Sequence, residues 1–324
     1  MQTSRSRRRL IQAVALAPLA GLDPARAQSA FPTKPLRFIV PYQPGGSVDV
    51  GIRALTAVLQ GMLRQPIVVE NKPGGVFTVS ISSLAQAPAD GHSLLATNAS
   101  FVSSQLVQKR YDMVAQLTSV TTWSKVDTIL TISPSAPFDS VAAMIAWARA
   151  NPRRLNYGAA GGLGSLEHLK MVEMSRRHGF EGTAIPYKGG PDAMIALASG
   201  EIDVYLAVVP LINQYADRVR PMAVIGDQRS PHLPKLPTLK ELGIDLAPFL
   251  YWNGLSVVPA TPPQTIDILR KAITQALQSK ELAEKFATIG MTPFPSTPDE
   301  LNRIIAGDLR TFGELVKQAG LNPA

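Results

Sequence analysis

The sequence contains no cysteine. That excludes a thiol nucleophile, thiolate metal sites and disulfide staples, so the folded chain must rest on its hydrophobic core. Histidine is scarce as well. His92, His168, His178 and His232 form no H-E-x-x-H array, and the ten-residue gap between His168 and His178 is not a ligand spacing. No metal site and no cofactor are therefore expected. The pattern G-x-x-x-x-G-K-[ST] is missing, and the glycine clusters lack the G-x-G-x-x-G spacing of a dinucleotide site. There is no G-x-S-x-G elbow and no Ser-x-x-Lys pair. No apolar run reaches the roughly 18 residues that span a bilayer.

Charge is modest too. The formal net charge is +8, but the first 27 residues hold five Arg and one Asp, so the rest carries +4. No run of Lys and Arg interleaved with aromatics follows, and nucleic acid is not an expected partner. Those 27 residues have the three parts of a secretory signal in order. Arg5, Arg7, Arg8 and Arg9 come first, an apolar run over 10–22 follows, and Ala25-Arg26-Ala27 precedes Gln28. The stretch from Ser6 to Leu10 also resembles a twin-arginine signal, which leaves the export route open. The sequence predicts a periplasmic protein with its signal cleaved near Ala27/Gln28.

What the chain does contain is alternation. Its 324 residues suit two lobes better than one domain. Short apolar segments over 36–42, 66–70 and 93–97 read as buried strands, and 50–63 and 78–87 between them read as helices. Strand–helix–strand order predicts a mostly parallel sheet with right-handed crossovers. The pattern repeats with strands over 127–132, 155–158, 183–187, 203–209 and 221–225 and helices over 139–150, 165–178 and 191–198. One more strand over 254–258 and helices over 265–278, 281–289 and 298–318 close the chain. The fold class is α/β.

In open α/β sheets ligands bind beyond the carboxyl ends of strands. Five such turns here are rich in glycine or small polar residues: 44–49, 74–78, 98–100, 159–165 and 188–192. Gly45 and Gly46 remove side chains where a helix begins at Ser47, leaving backbone N–H groups to face a small anion. Asp49 either orders that loop or caps an amino group on a ligand. The segment from Ile185 to Asp192 repeats the grammar of this loop: apolar strand, Pro-Tyr, a polar residue, two glycines and an acid. Ser165 reads as a helix N-cap, or, with His168, as the nucleophile and base of a hydrolase. Asp203 begins an apolar run, either as a strand-edge acid or aimed into a cleft.

Nine stretches carry a resemblance by their order and spacing: FPTKPLRFIVPYQPGGSVD, QPIVVENKPGG, ADGHSLL, LNYGAAGGLGSLEHL, IPYKGGPDAM, SGEID, RSPHLPKLPTLKELG, WNGLSVVPATPP and the closing VKQAGL. Together they resemble the solute-binding proteins of tripartite tricarboxylate transporters, the Bug receptors. The resemblance implies a two-lobed, periplasmic binding protein-like fold of type II, a Venus flytrap. Lobe 1 would comprise 28–125 and 252–324, and lobe 2 126–251. It implies a monomeric receptor, not an enzyme, that holds a small organic carboxylate and then docks on membrane transporter subunits or a sensor. Carried over by position, the first-lobe contacts are Tyr42, Pro44, Gly45, Gly46, Ser47 and Asp49, then Gly75, Phe77 and Thr78, then Asn98 and Ser100. The second-lobe contacts are Ala160, Gly161, Gly164, Ser165 and His168, then Tyr187, Lys188 and Gly189, and lastly Asp203. Three departures stand out: Val48 replaces a small hydroxyl residue, Val76 and Phe77 replace glycines, and the loop over 159–165 is one residue longer. Phe77 points to a ligand with an aromatic or apolar part instead of a plain dicarboxylate such as succinate. The alternatives are a periplasmic serine hydrolase using Ser165 and His168, and an orphan receptor feeding a sensor.

Overall fold

The computed structural model describes residues 31–247, 250–318 and 320–321. The signal expected over 1–27 lies outside the described residues. The chain opens with β1 (Leu36–Val40), α1 (Ser47–Leu63), β2 (Ile67–Asn71), one 3-10 turn (Gly75–Phe77), α2 (Thr78–Ala85), β3 (Ser93–Asn98), α3 (Ala99–Gln108), α4 (Met113–Gln116) and β4 (Thr118–Val126). Next come β5 (Thr128–Ile132), α5 (Val141–Ala150), β6 (Leu155–Ala160), α6 (Leu166–His178), β7 (Gly182–Tyr187), α7 (Gly190–Ser199), β8 (Val204–Val208), α8 (Val209–Gln214) and β9 (Arg220–Ile225). It closes with β10 (Tyr251–Val257), α9 (Pro263–Leu277), α10 (Lys280–Ile289), β11 (Thr292–Pro293) and α11 (Pro298–Gln318).

Two sheets result. The first has the order β11-β4-β10-β3-β1-β2 and the second β7-β6-β8-β5-β9. The chain passes from first to second at Asp127, between β4 and β5, and returns between β9 and β10. Both sheets are mixed, where mostly parallel ones were expected. β1 runs parallel to β2 and β3, and β6 to β7 and β8. Every antiparallel pair involves β4, β5 or β10. These strands carry the chain between the sheets, and a strand that crosses over does not complete a right-handed crossover unit with its neighbours.

Helices cover the sheets through one apolar face each. On α1 the buried side chains Val48, Ile52, Leu55 and Leu59 recur every three or four residues. Each such burial is worth roughly 1.5–3 kcal/mol, more than the few tenths that separate good from poor helix formers, so packing decides this helix. Gly51 lies on the same face, where an added Cβ would meet the Trp123 ring at 2.6 Å. The glycine lets α1 lie close to β4.

Five elements went unpredicted: α3, α4, β4, α8 and β11. The long strand β4, TSVTTWSKV, is mostly hydroxyl residues and reads as loop, yet it is buried along most of its length. Its polar groups find partners inside: Thr121 Oγ1 donates to Ser296 O at 2.8 Å, and Asn253 Nδ2 to Ser124 Oγ at 2.9 Å. Satisfied in this way, they avoid the penalty of an unpaired buried hydroxyl.

Candidate functional site

A small chamber of about 40 Å³ sits where the two sheets meet. Its wall comes from the carboxyl ends of strands on both sides: Tyr42 beyond β1, Ser100 beyond β3, Ala160 ending β6, Gly189 beyond β7 and Val208 ending β8. Helix starts therefore converge on it. At α1 the N-cap is Gly46, extended at φ −70° and ψ 163°, with no side-chain cap. The first intrahelical bond runs from Val50 N–H to Gly46 O at 3.0 Å, so the N–H groups of Ser47, Val48 and Asp49 have no partner within the helix. At α7 the N-cap is Gly189, again with no side-chain cap. The first bond there is Ala193 N–H to Gly189 O at 3.3 Å, and Pro191 has no N–H to place. A Cβ added at Gly46 would lie 3.9 Å from Pro191 Cδ, so the two helix starts face each other at contact distance. Each carries about half a positive charge, which suits an anion.

The loop that presents α1 is held by Asp49. This carboxylate is 3% exposed and accepts from Gly45 N–H at 2.9 Å, Arg53 Nε at 3.0 Å and Asn71 Nδ2 at 2.9 Å. Burial acts to raise its pKa, but the bonds from Arg53, Gly45 and Asn71 outweigh it and hold it below the ordinary value. Two sequence expectations change. Asp49 orders the loop and has no capacity aimed at a ligand amine, and the Gly45 N–H is already used by Asp49. The donors that remain belong to the helix proper.

A hydroxyl cluster forms the floor. Asn98 caps α3 by accepting Ser100 N–H at 3.1 Å and donates to the Tyr42 hydroxyl at 2.8 Å. Tyr251 and Ser100 hydroxyls lie 3.4 Å apart, and Tyr205 completes the set. Burial pushes the Tyr42, Tyr205 and Tyr251 phenols well above their usual pKa, so they stay neutral. Asn98 is fully buried and acts through Tyr42 and Ser100 instead of lining the chamber.

Glu167, which the sequence reading passed over, also lines the chamber. It stands in the first turn of α6. Burial pushes its pKa up to about 7, against the pull of its own backbone N–H and the Ser165 hydroxyl. An acid in the first turn of a helix is ordinary in a sequence, which hid it. The available signal was its place between Ser165 and His168.

Those two neighbours do not make a nucleophile and base. Ser165 Oγ accepts His168 N–H at 3.5 Å as the N-cap of α6. His168 Nδ1 accepts Gly164 N–H at 2.9 Å, and burial lowers the ring pKa to about 4, so the imidazole is neutral. Among the described residues no hydrogen bond joins the imidazole to Ser165 Oγ, the contact a hydrolase needs.

A larger chamber of about 630 Å³ adjoins the first and shares Tyr42 and Gln43 with it. Gly75, Val76 and Phe77 wall one side, and Gly161, Gly162, Tyr187 and Lys188 the other. Gly74, Gly75, Val76 and Phe77 all have positive φ, 116°, 58°, 51° and 73°, so a valine and a phenylalanine adopt backbone that glycine takes freely. Phe77 is 5% exposed and stacks on Phe101 at 4.1 Å. Its ring face is occupied by protein, which removes the basis for an aromatic ligand preference. Thr78 Oγ1 donates to Gly75 O at 2.8 Å and closes the turn. The Tyr187 hydroxyl donates to Glu201 at 2.9 Å. Gly164 meets Val107 of α3, and Pro44 lines neither chamber. Asp203 is misplaced by the sequence reading: it precedes β8 at the amino end of the strand, accepting Asn156 N–H at 2.8 Å, opposite the end that meets the chamber.

Comparison with known proteins agrees with this architecture. The family model of the tripartite tricarboxylate transporter family receptor matches residues 52–321. Protein BugT of Bordetella pertussis is 32% identical over 307 residues, covering 93% of this chain and 94% of its own. An R. palustris protein solved with adipate superposes with a TM-score of 0.86 at 29% identity, over 91% of this chain and all of that one. The periplasmic binding protein BugD superposes with a TM-score of 0.83 at 25% identity, over 90% of this chain and 99% of its own.

Proposed function

The chain belongs to the tripartite tricarboxylate transporter receptor family, and on that premise we propose that it captures a small organic carboxylate between two lobes, one built on each sheet. The observation that carries this reading is the meeting of two uncapped helix starts, α1 and α7, from different sheets over one chamber. A carboxylate in the chamber that both border receives N–H donors from both sides and no positive side chain is needed. The similarity to an R. palustris protein solved with adipate supports a carboxylate. The larger chamber takes the rest of the ligand. Export would place the chain in the periplasm, cleaved near Ala27/Gln28, with membrane transporter subunits or a sensor reading the closed form.

The test uses a thermal-shift screen of mono- and dicarboxylates, adipate included, followed by calorimetry. A ligand that prefers the folded chain raises its melting temperature. The Ser47→Pro variant then removes one N–H donor at the first position of α1, where proline is tolerated and its missing N–H costs the helix nothing. Expected is a loss of affinity of about tenfold or more, the value of one charge-assisted bond, with an unchanged melting temperature of the free chain. Full affinity in Ser47→Pro, or no response to any carboxylate, would overturn the reading.

A further inference from the structure

We propose that Glu167 makes this receptor select ligands that carry a protonated amine beside the carboxylate. The inference rests on the receptor reading above and names its ligand class. Glu167 is 5% exposed and lines the inner chamber, and its Oε2 has no hydrogen-bond partner among the described residues. An acid that merely complements the α6 dipole would sit in water. With one carboxylate oxygen buried and unpartnered, its ionised form is favoured only when a further donor pairs with it.

The lining of the chamber supplies no cation for it. The polar groups that line the chamber with Glu167 from other elements are the hydroxyls of Tyr42 beyond β1, Ser100 on α3, Tyr205 on β8 and Tyr251 on β10, and the three phenols are electrostatically coupled to it. No Lys, Arg or His is among the residues lining the inner chamber. The missing cation therefore falls to the ligand. The charge balance agrees: α1 and α7 between them satisfy one anion, and Glu167, on giving up its proton, is a second in the same small space. A plain dicarboxylate adds a further negative charge there, whereas an amino-carboxylate brings its own positive one. An ammonium has three donors, enough for Glu167 and for hydroxyls of the floor. The sizes fit as well. A water needs about 10–15 Å³ of such space, so 40 Å³ holds a head of a few atoms, and the remainder extends past Tyr42 and Gln43 into the larger chamber.

Calorimetric titration of the purified chain with matched pairs tests this: L-glutamate against glutarate, L-leucine against 4-methylpentanoate, L-phenylalanine against 3-phenylpropanoate. In the pair that binds best, the amino member should bind about 10–100-fold more tightly, the range of one bond to a charged group. Glu167→Gln should reduce that ratio to within about threefold, a residue of under 1 kcal/mol, by weakening the amino member alone. Glu167→Asp, which keeps the charge, should retain the preference, so a fold defect shared by both variants cannot imitate the result. Glutarate or another amine-free acid binding as tightly as its partner would overturn this inference and leave the carboxylate receptor standing. So would a ratio unchanged in Glu167→Gln. No binding by either member of any pair, nor by the wider carboxylate screen, would overturn both.

Discussion

At the scale of single residues, Glu167 has a consequence for stability that is independent of any ligand. Its pKa is raised from 4.5 to about 7 by burial, so the folded chain holds this proton more firmly than the unfolded chain does. The stabilising contribution is complete below about pH 4.5 and is lost as pH rises through 7. A shift of this size corresponds to on the order of 3 kcal/mol between pH 5 and pH 8. His168 acts in the opposite sense: its pKa is lowered by burial to about 4, so its contribution is lost as pH falls below 6.5. Glu167→Gln cannot titrate, while His168 is common to both proteins and cancels in their difference. Urea unfolding at pH 5 and pH 8 should therefore show the variant gaining on the parent chain as pH rises. A difference that is the same at both values would mean that Glu167 is not held in a dry chamber.

At the scale of elements, the contact between α3 and α6 is the one to test. Gly164, with φ of +91°, precedes α6, and an added Cβ would lie 2.7 Å from Val107 Cβ on α3. Gly164→Ala forces these elements, which pack on different sheets, apart. It should weaken ligand binding about tenfold or more, since roughly 1.4 kcal/mol of lost closure gives that factor. Gly179→Ala at the far end of α6 has φ of +63° with open space around it, so it carries the backbone cost alone and should leave affinity unchanged. Calorimetry on both variants separates strain from blocked approach. This contact also marks where sequence reading stops. The strands and helices with clean apolar periods, such as β1, α1 and α6, were legible, and so were the glycine turns at the starts of α1 and α7. The pairing of those turns across the chamber was visible only as a repeated grammar, Pro-Tyr-x-Gly-Gly. Serine- and threonine-rich α3 and β4 were not legible, because their hydroxyls are satisfied by distant partners that spacing cannot show. Glu167 and Asp203 went wrong together for one reason: whether an acid near a helix or strand end faces the cleft depends on which end of the sheet it occupies. Only the register of β6 with β8, where Tyr157 pairs with Val204, places Asp203 at the far end.

At the scale of the whole molecule, the proposed receptor function requires the lobes to part. The 40 Å³ inner chamber is bounded by both sheets, and Gln108 Nε2 donating to Leu163 O at 3.0 Å further joins the two sides. Among the described residues the chain passes between the sheets twice, and the two passages are tied together where Ser230 Oγ donates to Asp127 at 2.5 Å. Two connecting segments pinned to each other at one point make a hinge, since rotation there changes few torsions and leaves each core intact. A ligand that touches both sides binds the closed form alone and shifts the population toward it by its full differential affinity. Small-angle scattering should then show a free chain larger than the roughly 19 Å radius of gyration expected for a compact chain of this size, falling to about that value at ligand saturation. The Gly164→Ala variant should start from the same open value and need more ligand to contract. A free chain already at the compact value, with no change on saturation, would mean that the ligand enters without the lobes moving, and the affinity loss in Gly164→Ala would then have to come from the site itself.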